Sequence, residues 1–199
     1  MESNEQSEFC APSGFVPKKS GKLRFVIDFT ALKKYVRRPV HSFPSSDQVA
    51  QSIRPGTTHI ACVDFPSGYF QALLHPDSQR LTAFNTEFGR FLFLRAPQGL
   101  SSSGDHFNCT TDRFFSGLGD WLIKQVDDMY ICASSLTELR KRLEIIAKES
   151  LKHGVTWSIS KFFAGRETNI VSGHQVILDP SGKTAPKIGL DPGFCRKAR

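Results

Sequence analysis

Apolar residues recur along this chain in two rhythms. Between 136 and 152, Leu136, Leu139, Leu143, Ile146, Ala147 and Leu151 return at three- and four-residue spacing, the stripe of an amphipathic helix. Ser135 and Glu138 have capping-box spacing ahead of it, and Gly154 stands where a C-cap glycine belongs. A second helix is predicted over 103–118, with Phe107, Phe114, Phe115 and Leu118 toward the core. A shorter one follows Ser45 and Gln48, again in capping-box spacing, and stops at Pro55-Gly56.

The other rhythm is short apolar runs between turn residues. Residues 59–64, Tyr69 to Leu74, Leu81 to Phe84, Phe91 to Leu94, 155–159 and 170–178 read as strands, and 121–133 as a hairpin. Gly14 to Lys22 reads as a strand and a Lys/Ser/Gly turn, with a return strand from Leu23 to Asp28. The segment 39–47 is extended, and Asp179-Pro180-Ser181-Gly182 is a turn. Strands and helices without βαβ alternation predict an α+β fold with an antiparallel sheet and flanking helices. One folded region is expected at 13–180, between a disordered N-terminus at 1–12 and a loose basic tail at 181–199.

Charge adds a partner class. The chain has 199 residues, a net charge of +7 and a pI near 9.3, a balance that suits a polyanion. Basic residues cluster at 18–24, 33–38, 140–148 and 183–199; the third cluster is the solvated face of the long helix. Cysteines at 10, 62, 109, 132 and 195 are odd in number and lack CxxC spacing, against a disulfide framework or zinc site. Cys62 and Cys132 lie in apolar strands and read as small core residues, so a reducing, intracellular setting is expected. No apolar run approaches the ~20 residues of a membrane span, and the acidic start is not expected to act as a signal peptide.

Chemistry is carried by carboxylates. Gln125-Val126-Asp127-Asp128 places two acids at a hairpin tip, and Ile60-Ala61-Cys62-Val63-Asp64 ends an apolar strand on a third. Three such groups brought together can hold two divalent metals, which suits phosphoryl or nucleotidyl transfer. A lone Asp pair is more often a turn or cap, so its surroundings decide. Gly182-Lys183-Thr184 looks like the end of a P-loop, but Ile177 stands where that loop needs glycine. The six histidines show no metal-ligand spacing.

The surroundings form an ordered series. Leu23-Arg24-Phe25-Val26-Ile27-Asp28-Phe29 is followed by Leu32 and Lys33. Then come Asp64-Phe65-Pro66-Ser67-Gly68-Tyr69-Phe70-Gln71 and Ala96-Pro97-Gln98-Gly99-Leu100-Ser101. Val126-Asp127-Asp128, Ser160-Lys161-Phe162 and Ser172-Gly173-His174 close it. The series resembles the reverse transcriptase domain of LTR retrotransposons, most closely the Ty3/Gypsy type of invertebrate animals.

That resemblance implies the fingers and palm of a right-hand polymerase. Asp64 matches the first metal-binding acid and Asp127 and Asp128 the acidic pair, around two Mg²⁺ ions for which Mn²⁺ can stand in. Arg24, assisted by Lys22, matches the clamp on the incoming triphosphate. Phe65, Ser67 and Gly68 match the turn whose N–H groups face that triphosphate; Pro66 has no N–H to give. Tyr69 matches the aromatic that excludes a 2′-hydroxyl, and Gln98-Gly99 the loop against nucleotide and template. Lys161 matches the lysine that protonates pyrophosphate, and Gly173-His174 the start of the primer grip. The implied partners are an RNA or DNA template with primer, a dNTP, and the rest of a polyprotein (thumb, RNase H, integrase), with no membrane. The implied location is cytoplasmic, in a virus-like particle. Gln125, Pro66 and Ser102-Ser103-Gly104-Asp105 depart from the common pattern. Two rivals are an inactive remnant that only binds nucleic acid and a viral RNA-dependent RNA polymerase; Tyr69 stands against the second.

Overall fold

The computed structural model describes residues 2–3, 7–18, 21–38, 41–66, 68–165 and 167–191. In chain order the strands are β1 (Glu2–Ser3), β2 (Ser13–Pro17), β3 (Leu23–Ile27), β4 (His59–Asp64), β5 (Phe84–Thr86) and β6 (Gly89–Leu92). They continue with β7 (Leu122–Gln125), β8 (Asp128–Ala133), β9 (Phe163–Ala164), β10 (Thr168–Val171), β11 (His174–Ile177) and β12 (Lys187–Leu190). The α-helices are α1 (Thr30–Lys33), α2 (Ser46–Gln51), α3 (Pro76–Gln79), α4 (Ser101–Phe114) and α5 (Leu136–His153). The chain divides into two units, the first from Met1–His41 and Ser67–Thr110, the second from Ser42–Pro66 and Thr111–Arg199.

The first unit holds two small antiparallel sheets, β1-β6-β5 and the hairpin β2-β3. Its core is aromatic: Phe29, Phe84 and Phe93 are buried, with Ile27, Leu32, Phe70, Phe91 and Leu100 packed around them. Phe70 stacks on Phe93 at 6.0 Å between centroids. Asp105, one of the family-variant residues, is buried and bound by Arg38 Nε at 2.5 Å, which holds its carboxyl below the usual range.

The second unit is built on an all-antiparallel sheet in the order β7-β8-β4-β9. β4 and β8 occupy the middle, and from Ile60 to Val63 and Met129 to Ala133 every residue is buried. That explains why both sequences are unbroken apolar runs instead of alternating ones. On one face Ile60, Cys62, Tyr130 and Cys132 meet Val49 and Ile53 of the α2 region and Val171 and Val176 of the β10-β11-β12 sheet. Burial pushes the Cys62 and Cys132 thiols up to about 12, in keeping with inert core residues.

Caps appear where the sequence puts them. The Ser45 hydroxyl accepts from the Gln48 N–H and the Gln48 side chain from the Ser45 N–H; Ser135 accepts from the Glu138 N–H. Gly154 ends α5 at φ 66°. The buried stripe of α5 is narrower than predicted: Leu139 and Ile146 are covered, but Leu136 and Leu151 are 64% and 81% exposed.

Several elements differ from expectation. Tyr69 to Leu74 is no strand; a 3₁₀ turn covers Gly68–Gln71. Another covers Arg80–Thr82, so the strand begins at Phe84. Residues 155–158 are irregular and lead into a 3₁₀ turn at Ile159–Lys161, because the Val155 and Ser158 N–H groups are taken by the Ser150 and Asp64 carbonyls. α4 stops at Phe114, short of 118, and leaves Phe114 and Leu118 half-buried. Within the segment expected to be disordered, Glu2 and Ser3 pair with Leu92 and Phe91, and the Ala11 N–H donates to Ala83 O at 2.7 Å. Within the expected loose tail, Lys187–Leu190 forms an exposed edge strand on β11; residues 192–199 lie outside the described residues.

Candidate active site

Strand register assembles the acids. Asp64, the last residue of β4, lies directly opposite Asp128, the first of β8. Opposed residues share a sheet face, so both carboxylates continue the face that carries Cys62 and Tyr130. Gln125 pairs with Asp128, which leaves Val126-Asp127 as a two-residue hairpin loop. Val126 has φ 52°, a left-handed conformation that strains a β-branched residue. The tip is held from outside: the Phe65 N–H donates to Asp127 O and the Ser158 N–H to Asp64 O, both at 2.9 Å.

Charges crowd at this end of the sheet. Lys161 Nζ donates to Asp64 Oδ1 at 2.9 Å across 97 residues of sequence, and that bond raises the lysine above its ordinary range. Burial, then the charge of Asp64, pushes the Asp127 carboxyl up. Burial, then Asp64 and Asp127, does the same to Asp128, while a hydrogen bond from the Tyr130 hydroxyl works against the rise. Asp64 Oδ2 and Asp127 Oδ1 are buried without a hydrogen-bond partner. Orphaned carboxylate oxygens are costly, and they are the hard donors a divalent cation such as Mg²⁺ prefers. Among the described residues no three His, Cys, Asp or Glu side chains are grouped to hold a metal ion. The arrangement therefore has the donor chemistry of the expected site but not a ready-made three-carboxylate cage, with Lys161 engaging one oxygen of Asp64.

The residues expected to bind nucleotide divide. In the first unit Arg24, Gln98 and Gly99 line one cavity of about 410 Å³, walled by Phe25, Phe70 and Phe93. Gly99 sits at φ 102°, which only glycine adopts without strain. Lys22 is exposed in the turn that joins β2 to β3. Gly68 is buried at the start of its 3₁₀ turn. The Tyr69 ring meets Phe107 edge-on at 6.1 Å, and a Cβ added at Gly104 would touch it at 3.5 Å. Ser67 lies outside the described residues. Phe65 departs from expectation: its N–H is committed to Asp127 O and its ring is buried, stacked on Phe115 at 6.2 Å. It shapes the acid loop from behind and has no free N–H for a triphosphate.

Gly173, at φ 81°, forms the β10-β11 turn with Ser172, at φ 51°. The His174 ring is turned inward, with Nε2 2.8 Å from Asp47 Oδ1 at the start of α2. Gln125, variant in the motif, reaches Ser46 Oγ at 3.4 Å. Sequence reasoning missed Tyr130 and Ser158. Tyr130 was findable, since two residues beyond Asp128 on a strand is the same face.

Residues 16–174 match the family described as reverse transcriptase (RNA-dependent DNA polymerase). The chain is 28% identical over 139 residues to the Transposon Tf2-3 polyprotein of Schizosaccharomyces pombe, covering 69% of this chain and 10% of that protein. It is 27% identical over 169 residues to the Enzymatic polyprotein of Cestrum yellow leaf curling virus, covering 82% of this chain and 26% of that one. This chain thus spans a small part of these relatives. Among solved structures, the foamy viral protease-reverse transcriptase in complex with double-stranded DNA superposes with a TM-score of 0.85 at 25% identity, over 97% of this chain and 32% of that one. The foamy viral protein in complex with an RNA/DNA hybrid gives 0.80 at 24% identity, over 96% and 25%.

Proposed function

The chain belongs to the reverse transcriptase (RNA-dependent DNA polymerase) family, and on that footing we propose that it is the fingers-and-palm part of an RNA-directed DNA polymerase encoded within a retroelement polyprotein. The reaction is transfer of a deoxynucleotide from a dNTP to a primer 3′-hydroxyl on an RNA or DNA template, with release of pyrophosphate. The observation that carries this is the register Asp64↔Asp128, with two buried, unpartnered carboxylate oxygens beside it.

Asp64, Asp127 and Asp128 would hold two Mg²⁺, or Mn²⁺. Bound there, the ions would lower the pKa of the attacking hydroxyl and neutralise charge on the phosphates. Asp64 faces Asp128 directly across the strand pair, and its charge reaches both other acids. Lys161 stays protonated through the neutral range and, released from Asp64, can give a proton to departing pyrophosphate. Arg24 suits the triphosphate because a guanidinium fork grips phosphate oxygens in pairs. Lys22 adds charge, and Gln98, Gly99 and Gly68 let backbone approach the nucleotide closely. Tyr69, stiffened by Phe107 and Gly104, closes the space a 2′-hydroxyl would need. Gly173 and His174 shape the turn that meets the primer.

Primer extension on an RNA template with Mg²⁺ tests this reading. Asp64→Asn should lower extension at least ~10²-fold, the size expected when several kcal/mol of metal-assisted stabilisation is lost. Its thermal unfolding should stay close to wild type. Equal turnover by the variant would remove Asp64 from the chemistry. A wild-type chain that binds primer-template yet never extends it would support a nucleic-acid-binding remnant.

A further inference from the structure

We propose that Gly104 is the positioning residue of the sugar-selecting ring: its missing side chain is the space in which the Tyr69 ring rests on α4, and it sets how far that ring reaches toward the sugar of an incoming nucleotide. The proposal rests on the reading of Tyr69 as the group that excludes a 2′-hydroxyl.

A glycine within a helix has to be explained. Gly104 stands near the start of α4, in ordinary helical backbone that any L-residue adopts, and glycine is among the poorest helix formers. Conformation therefore does not call for it; space does. The three atoms nearest to a Cβ built there all belong to Tyr69: Cε1 at 3.5 Å, Oη at 3.6 Å and Cζ at 3.8 Å. The hydroxyl end of the ring thus lies over bare helix. Phe107, three residues on along the same helix face, is buried and meets the ring edge-on at 6.1 Å and 82°. Gly104 is the floor and Phe107 the wall of one seat, and all three residues belong to the first unit.

The seat is braced from below. Asp105 is 1% exposed and accepts from Arg38 Nε at 2.5 Å, which ties the next residue of the helix to the chain that follows α1. Asn108, equally buried, donates from Nδ2 to the Gly104 carbonyl at 2.9 Å. Tyr69, by contrast, is half-buried and lies in a 3₁₀ turn. A side chain at 104 is therefore accommodated by the ring and not by the helix. Size decides the outcome. A methyl at 3.5 Å makes an ordinary van der Waals contact, whereas the branches of valine need the volume that the ring tip fills. The displaced tip moves off α4, into the space that the reading gives to the sugar.

Four proteins test the link: Gly104→Val, Tyr69→Ala, the double variant and Gly104→Ala. The readout is the affinity for dGTP and for GTP, with Mg²⁺, of protein bound to an RNA template whose primer ends in a dideoxynucleotide before a template cytosine. No turnover is needed. Gly104→Val should weaken dGTP binding about tenfold and GTP binding no less. In the Tyr69→Ala background the same substitution should change either affinity by less than about twofold, because the space is already open. Melting curves follow the contact itself. Gly104→Val should melt below wild type, the double variant no lower than Tyr69→Ala, and Gly104→Ala above wild type. If Gly104→Val alone does not fold, a double variant that does fold supports the contact, and one that does not overturns it. Unchanged dGTP affinity in Gly104→Val, equal losses in both backgrounds, or GTP gaining on dGTP would each overturn the proposal. An unaltered preference in Tyr69→Ala removes the sugar-selecting reading and this proposal with it. A relaxed Tyr69→Ala beside an indifferent Gly104→Val sinks this link alone. A preference that follows both residues, in a protein that never extends a primer, sinks the polymerase reading and leaves the link standing.

Discussion

Single residues at the acid site are shaped for something other than stability. Asp127 and Asp128 hold protons above the ordinary carboxylate range because burial and neighbouring acids oppose their ionisation. A carboxylate whose folded pKa is raised contributes stability below its unfolded value and loses it as pH rises through the folded one. Asp127→Asn should therefore melt higher than wild type in EDTA, and the gap should widen from mildly acid to neutral pH. In a protein of this size each kcal/mol moves the melting temperature by roughly 2–4 °C. A gap that shrinks with pH would contradict the assignment. Tyr69→Ala should raise the use of rNTP relative to dNTP; equal loss of both would mean that the ring is only a core residue against Phe107. Gly99→Ala meets no clash closer than 3.5 Å, so its cost is set by φ 102°, about 1–2 kcal/mol on a denaturation curve.

At the scale of elements, what could be read in advance was what is encoded locally. The caps of α2 and α5 follow from side chains three residues apart, and each forms a hydrogen bond. Ser135→Ala should accordingly cost ~1 kcal/mol, measured by urea unfolding. The central strands were legible because both faces are buried and the sequence is apolar throughout. Phe70, Leu81 and Trp157 are as apolar as strand residues, yet they sit in or beside 3₁₀ turns and irregular chain; short apolar runs carry no period to separate these cases. The pairing of Glu2 with Leu92 and of Lys187 with Ile177 was invisible because it depends on distant partners. The acids were legible as a motif, whereas the engagement of Asp64 by Lys161, across 97 residues, is a product of tertiary placement. Phe65 was misread for the same reason: nothing in its neighbours reveals that its N–H is spent on Asp127.

For the molecule as a whole, a net charge of +7 makes nucleic-acid binding chiefly an exchange with salt. Primer-template affinity should fall linearly on a log–log plot, each phosphate contact adding roughly 0.9 to the slope for a B-form duplex. If Lys22 meets a phosphate, Lys22→Ala should flatten that slope by about one such step; an unchanged slope would make it a solvated hairpin residue. The register Asp64↔Asp128 also has a consequence in time. β4 and β8 are separated by the whole of β5, β6, α4 and β7, and their pairing closes a long loop before it is rewarded. If that long closure is completed only after the folding barrier, an ion has nothing to grasp in the transition state. Stopped-flow experiments should then show Mn²⁺ slowing unfolding while leaving the refolding rate almost untouched. An ion that sped refolding would mean that the acids meet early, and that the sheet is built around them.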